Sequence, residues 1–188
     1  GSKTGFVLPE TPGRLPSRAH KRRWTAFDTA LISIGQGDVL VSPLQAALYT
    51  AAIANGGTLW KPNILKSILA ADGSTVYSEQ PEANGRLAAS PQTLEMIRYG
   101  MFLSVNSDVG GSRRAHNEAI QLSGKTGTAE VGPRDKRYKN TWFIGFGTHS
   151  GKTYAIAILV ERGIAGGRTC APLAAEFFTR WLGTGEQR

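Results

Sequence analysis

The chain has 188 residues, 40% of them hydrophobic, and a formal net charge of +8. That content fits a folded domain with a real core and excludes a disordered segment, while no apolar run approaches the roughly 18 residues of a membrane-spanning helix. The single cysteine, Cys170, excludes an internal disulfide and a cysteine-rich metal site, and His20, His116 and His149 lack metal-ligand spacing, so neither metal nor cofactor is expected.

The opening Gly-Ser (1–2) reads as a cloning scar, which leaves 3–188 as the unit to interpret, and no signal peptide is visible. The stretch TGFVLPETPGRLPSRAHKRRW (4–24) is rich in Pro, Gly and charge and reads as an extended loop. SPLQAALYTAAIANGG (42–57) is the clearest helix. Ser42 suits the N-cap, Pro43 the first helical position, and Gln45 completes a capping box. Leu44, Ala47, Leu48 and Ala51 follow the i, i+3, i+4, i+7 spacing of a buried face, and Gly56 suits the C-terminal stop. KPNILKSILAADGSTVYSEQ (61–80) holds short strand-like pieces around the Asp72–Gly73 turn. SPQTLEMIRYGMFLSV (90–105) repeats the Ser-Pro helix start, with Leu94, Ile97 and Met101 predicted to face inward.

After residue 120 the texture changes to three strand candidates, IQLSGKTGTAEV (120–131), NTWFIGFGTHS (140–150) and KTYAIAILVER (152–162). Their short connections favour antiparallel neighbours. In the third, Tyr154, Ile156, Ile158 and Val160 share one face and Ala155, Ala157 and Leu159 the other. Both faces are apolar, which predicts helices on both sides of the sheet. In APLAAEFFTRWLG (171–183), Pro172 suits a helix start, Leu173, Phe177 and Trp181 form a stripe, and Gly183 suits the stop. The pattern predicts an α/β (α+β) fold with an antiparallel sheet flanked by helices.

LSGKTGTAEV (122–131) admits three readings. A Walker phosphate loop needs glycine five residues before the glycine of Gly-Lys-Thr, where this chain has Ala119 or Phe146, and it must open a helix. The plain reading is an ordinary strand and turn. The functional reading is an exposed strand edge on which a peptide adds as a further strand. Lys125 would place positive charge beside a reacting centre, and the hydroxyls of Thr126 and Thr128 would bind a substrate carboxylate. Gly127 would allow close approach of another chain, and the Thr128 N–H would stabilise an oxyanion. Such parts suit binding a peptide with a free terminal carboxylate and attack on its last amide.

Other candidates are weaker. Cys170 reads as a small core residue rather than a nucleophile. The basic clusters HKRRW (20–24), SRR (112–114) and PRDKRYK (133–139) read as solvated loops, with an anionic polymer or lipid surface as the alternative. No nucleic-acid motif accompanies them, so no nucleic-acid partner is expected.

KTGTAEV resembles the Lys-Thr-Gly motif of penicillin-binding proteins and serine β-lactamases. TGFVLPETPGRLPS resembles the segment that links the helical lobe to the rest of class B penicillin-binding proteins. SIGQGDVLVSPLQAALYTAAIANGGTLWKPNIL resembles their Gly-Gln-Gly, Thr-Pro-Leu-Gln and Ala-Asn-Gly-Gly run, and NTWFIGFGT their Trp-Phe-x-Gly-Phe strand. The motifs occur in the family's order over residues 3 to about 183. The Gly-Gln-Gly form leans toward the elongation-type subgroup.

The resemblance implies a penicillin-binding-protein/β-lactamase-like transpeptidase fold, incomplete here, with 3–188 as the C-terminal part of a transpeptidase domain. It implies catalytic Lys125, Thr126 and Gly127, with Thr126 and Thr128 binding substrate. The implied reaction cross-links D-Ala-D-Ala stem peptides of peptidoglycan by acyl transfer. The implied partners are that stem peptide, β-lactam antibiotics and cell-elongation proteins, for a membrane-anchored parent on the periplasmic face of the bacterial inner membrane.

The family attacks with a serine in S-x-x-K, and no serine of this chain has a lysine three residues later. Ser123 and Ser150 have one two residues later, off the required helix face. The nucleophile is thus expected outside this chain, which is expected to be soluble and inactive by itself. The alternative is a non-catalytic binding or scaffold module that kept the fold. Ser104–Val105–Asn106 matches the family's S-x-N motif by letters but follows the Gly-Gln-Gly segment instead of preceding it, and reads as a helix end. The chain also has GGSRRA (110–115) where the family often has Gly-Thr-Ala, and Gly147–Thr148 where Ala-Pro is frequent.

Overall fold

The computed structural model describes residues 1–17, 19, 23–133 and 135–183. His20, Lys21 and Arg22 of the first basic cluster, and Arg134 of the third, lie outside the described residues. The elements in chain order are helices α1 (Ala26–Ser33) and α2 (Pro43–Ala54), then strands β1 (Thr58–Trp60), β2 (Ser67–Leu69), β3 (Thr75–Ser78) and β4 (Ala83–Arg86). Helix α3 (Pro91–Asn106) and a 3-10 turn (Arg113–Ala115) follow. The chain continues through β5 (Gln121–Val131), β6 (Tyr138–His149), β7 (Lys152–Glu161) and helix α4 (Gly166–Gly183).

The central sheet is antiparallel in the order β5-β6-β7, with β5 along one edge. Register pairs Lys125 with Ile144, Thr126 with Phe143, Gly127 with Trp142 and Thr128 with Thr141. Because strand side chains alternate, Lys125 and Gly127 share a face with Ile144 and Trp142. Thr126 and Thr128 share the other with Phe143 and Thr141.

Helix α4 covers the Phe143 face. Val105, Leu122, Phe143, Cys170, Ala171, Ala174 and Phe178 form the buried core there, with Tyr154, Ile156, Ile158 and Val160 packed against it. Burying a side chain such as Phe143 contributes about 1.5–3 kcal/mol. Helix α2 packs against β6 and β7 on the opposite face. The two-sided apolar pattern of β7 is answered by a helix on each side.

Local rules hold well where caps decide. Ser42 Oγ accepts the Gln45 N–H at 3.2 Å, and Gln45 Oε1 accepts the Ser42 N–H at 2.9 Å, closing the predicted capping box. The Asp72–Gly73 turn joins antiparallel β2 and β3 as expected.

Three inner faces differ from prediction. In α2 the buried residues are Ala46, Thr50 and Ala52, while Leu44, Ala47, Leu48 and Ala51 are half-buried, because Leu48 borders a cleft. In α3 Leu94 and Met101 are buried as predicted, but Ile97 is 40% exposed. Arg98 turns inward instead and donates to the Ile53 carbonyl, and Val105 completes the stripe. Helix α4 starts at Gly166, so Pro172 lies inside it. Its buried residues are mainly small, Cys170, Ala171 and Ala174 with Phe178, whereas Leu173 and Phe177 are exposed. Small residues let the helix axis approach the sheet, and the large aromatics move to the margin, where Trp181 meets Tyr154 edge-on at 4.5 Å.

Two features were not predicted. The stretch just after the loop-like start, where the sequence pattern marked no element, forms α1, capped by a Thr25–Asp28 box. Strands β1 and β4 pair as a separate two-stranded sheet.

Candidate active site on the edge strand

The four predicted site residues Lys125, Thr126, Gly127 and Thr128 lie consecutively on β5. The Thr126 N–H donates to Ser112 Oγ at 3.0 Å. The Thr128 carbonyl accepts from Gln36 Nε2 at 2.9 Å. Both bonds leave the sheet on the side away from β6. In an antiparallel ladder, alternate residues turn both backbone groups outward. The Thr128 N–H therefore also points off the open edge. The Lys125 ammonium folds over this edge and donates to the Thr126 carbonyl at 2.7 Å. Lys125 is exposed, and among the described residues it has no carboxylate within ion-pair distance.

The two threonine hydroxyls lie toward α4. Thr128 Oγ1 accepts the N–H of Gly166, the first residue of α4, at 3.1 Å. Thr126 Oγ1 lies 3.4 Å from the Gly111 carbonyl and 3.4 Å from Ser112 Oγ. The positive end of the α4 dipole thus faces the strand at Thr128, which favours negative charge there.

The predicted close approach at Gly127 is real, but it comes from inside the chain. A Cβ on Gly166 would lie 2.5 Å from the Gly127 carbonyl oxygen and 2.6 Å from that of Trp142. On its other side Gly127 is open, since a Cβ there would meet only Trp142 Cβ at 3.4 Å.

That open side borders a cleft of about 810 Å³. Lys125 to Ala129, Trp142 and Ile144 of the sheet line it together with Gln36, Leu48 and Tyr49. Burial raises the pKa of Tyr49, so its phenol stays neutral at physiological pH. The strand side of the cleft thus offers the Thr128 N–H, one ammonium and an apolar surface to an extended peptide.

Ser104, Val105 and Asn106 close α3. Val105 is in the core, Asn106 Nδ2 donates to the Phe102 and Leu122 carbonyls, and Ser104 Oγ donates to Ser112 Oγ at 2.9 Å. These bonds tie α3 to β5 and to the loop at 110–112. Cys170 is fully buried and its Sγ donates to the Thr141 carbonyl, as befits a core residue. Gln36, Ser112 and Gly166 shape the site although sequence reasoning assigned none of them a role there, Gln36 standing out only as part of the Gly-Gln-Gly run and Ser112 only as part of GGSRRA. Gln36 had a visible signal, its place between two glycines (φ 70° and 77°). Ser112 and Gly166 had none that pointed to the site. No group of three or more His, Cys, Asp or Glu side chains suited to a metal occurs among the described residues, and none of their helices is long and apolar enough to cross a membrane.

Residues 1–179 match the model of the penicillin binding protein transpeptidase domain. The chain is 33% identical over 200 aligned residues to the peptidoglycan D,D-transpeptidase MrdA of Acinetobacter baumannii, covering 97% of this chain and 29% of that protein. Among solved structures it resembles penicillin-binding protein PBP2 in complex with MreC from Helicobacter pylori, with TM-score 0.78 and 29% identity, covering 98% of this chain and 34% of that one. It also resembles the ceftriaxone acyl-enzyme complex of penicillin-binding protein A from Mycobacterium tuberculosis, with TM-score 0.67 and 31% identity, covering 79% and 34%. The chain spans about a third of the length of these relatives.

Proposed function

Because the chain belongs to the penicillin binding protein transpeptidase domain family, we propose that it supplies the substrate edge of a serine-type D,D-transpeptidase of the elongation type. The observation that carries this reading is the β5 edge. The Thr128 N–H points off it, the Lys125 ammonium lies across it, and two threonine hydroxyls flank it beside the start of α4.

In this reading a stem peptide ending in D-Ala-D-Ala adds along β5, and its terminal carboxylate meets the Thr126 and Thr128 hydroxyls. The scissile carbonyl oxygen points to the Thr128 N–H. A serine in S-x-x-K, carried by a part of the protein outside these 188 residues, attacks that carbonyl. The C–N bond breaks, D-alanine leaves with the serine's proton, and a serine ester remains. An amine of a second stem peptide then attacks the ester, forms the cross-linking amide and releases the serine. A β-lactam acylates the same serine.

The Mycobacterium relative, solved as a ceftriaxone acyl-enzyme, supports antibiotic binding. The Helicobacter relative, solved with MreC, supports an elongation-machinery partner. The corresponding location is the periplasmic face of the inner membrane, with the protein anchored there.

Fluorescent penicillin followed by denaturing electrophoresis tests this reading. The 188-residue chain stays unlabelled, whereas a longer protein joining it to an S-x-x-K segment is labelled. Stoichiometric labelling of the chain alone would place the nucleophile among its own serines and overturn the assignment.

A further inference from the structure

A chain of hydroxyl groups runs from the end of α3 to the substrate edge, and the reaction outlined above does not use it. At its centre is Ser112, which is fully buried. Ser104, in the last turn of α3, holds Ser112 twice. Its carbonyl accepts the Ser112 N–H at 2.9 Å, and its hydroxyl donates to Ser112 Oγ at 2.9 Å. On the other side Ser112 Oγ accepts the Thr126 N–H at 3.0 Å and lies 3.4 Å from Thr126 Oγ1.

The protons of this chain are placed by what each group can accept. A serine hydroxyl accepts through two lone pairs and donates one proton. The Ser104 hydroxyl and the Thr126 N–H fill both accepting positions of Ser112 Oγ. Its own proton therefore points to a third atom, and the bond it donates among the described residues goes to Thr126 Oγ1. Thr126 Oγ1 is then an acceptor on that side, and its own proton turns toward the Gly111 carbonyl at 3.4 Å. The usual O–H···O range ends near about 3.0 Å, so this last bond is long and easily given up. A carboxylate oxygen is a better acceptor, since charge-assisted bonds are shorter and stronger than neutral ones. With the chain reversed, Thr126 would turn a lone pair toward the anion and repel it.

We propose that Ser112, locked by Ser104, is a positioning residue that presets the Thr126 hydroxyl as a donor to the terminal carboxylate. The inference rests on the peptide-edge reading above and adds to it the groups that fix the sense of one contact. Because Ser112 is buried, the hydroxyls are ordered before the ligand arrives, and the contact forms without reorganisation. Ser112 also occupies the Thr126 N–H, which leaves the Thr128 N–H to fix the register of the peptide.

The test uses a longer protein that joins this chain to an S-x-x-K segment. Stopped-flow fluorescence with a fluorescent penicillin, whose carboxylate stands in for the terminal one, separates the dissociation constant of the first complex from the rate constant of acylation. Ser112→Ala leaves the Thr126 hydroxyl free to rotate. It raises the dissociation constant about tenfold, as loss of one oriented charge-assisted bond does, and changes the acylation rate constant by less than about threefold. Ser104→Ala keeps the Ser112 hydroxyl but empties one of its accepting positions, and raises the dissociation constant about three- to fivefold. In a Thr126→Val background neither serine substitution weakens binding further, because the hydroxyl they orient is gone. Equal weakening in both backgrounds would mean that the serines act through the fold alone, and overturns the proposal. Wild-type binding by either serine variant overturns it too. Where Ser112→Ala does not fold, judged by circular dichroism, Ser104→Ala in the two backgrounds decides by itself. If Thr126→Val binds penicillin as wild type does, the peptide-edge reading fails, and the proposal with it.

Discussion

Gln36 Nε2 donates to the main-chain carbonyl of Thr128 across 2.9 Å, joining residues 92 positions apart. Gly35 and Gly37, at φ 70° and 77°, let the chain turn so that the amide reaches the outer edge of β5. Ser112 holds the same edge two residues earlier, through the Thr126 N–H. Substrate is proposed to pair between and beyond these two ties, so they set how rigid the edge is.

Gln36→Ala removes one neutral hydrogen bond, worth about 1 kcal/mol. Its expected signature is local: faster amide hydrogen exchange in a peptide covering residues 123–131, with exchange in β7 unchanged. Gln36→Glu sets a carboxylate against the Thr128 carbonyl and should loosen the edge further. Identical exchange in wild type and both variants would mean that the bond does not hold the strand.

Lys125→Ala is the second test, made in a longer protein that carries an S-x-x-K serine. The ammonium lies over the edge, bonded to the Thr126 carbonyl at 2.7 Å. Its loss should slow acylation by a fluorescent penicillin about a hundredfold or more, the scale of a positioned proton-transfer or charge-stabilising group. Unchanged acylation removes Lys125 from the site.

The features legible in the sequence were those fixed by neighbours in the chain. The Ser42 box, the Asp72–Gly73 turn and the three long strands follow local rules, and the motif at 125–128 sits on the strand edge where those rules put it. Faces were read less well. Large apolar side chains mark a stripe, yet Ala171 and Ala174 are fully buried while Leu173 and Phe177 are not. Close helix–sheet approach selects small residues, and hydrophobicity alone does not display that. The contacts of Gln36, Ser112 and Gly166 with β5 cross 92, 14 and 38 positions. No spacing rule reaches so far.

Tyr49 gives a pH test. Burial raises its pKa above the ordinary value of about 10. The folded state therefore holds the phenol proton longer than the unfolded chain does. The resulting stability is fully present below the unfolded value and is lost as pH rises through the folded one. Between pH values of about 9 and 11, the melting temperature of wild type should fall more steeply than that of Tyr49→Phe, which has no phenol to ionise. Parallel curves would show that the buried side of the cleft does not discriminate between the two ionisation states.

Two glycine-to-alanine substitutions should move stability in opposite directions. Gly166 abuts backbone, with the Gly127 carbonyl oxygen 2.5 Å and the Gly127 nitrogen 3.0 Å from where a Cβ would stand. Neither atom can yield without shifting β5 against α4, so Gly166→Ala should cost about 1–3 kcal/mol, as overpacking does. The shift should also break the bond from the Gly166 N–H to Thr128 Oγ1. Gly100 lies within α3 on an exposed surface, and a Cβ there meets nothing within 4 Å. Gly100→Ala should add about 0.5–1 kcal/mol by lowering the backbone entropy lost on folding. Urea denaturation reads both as midpoint shifts at a constant slope. A neutral Gly166→Ala would mean that α4 does not press on the substrate edge as closely as its position indicates, and the Thr128 hydroxyl would then not be fixed by the helix start.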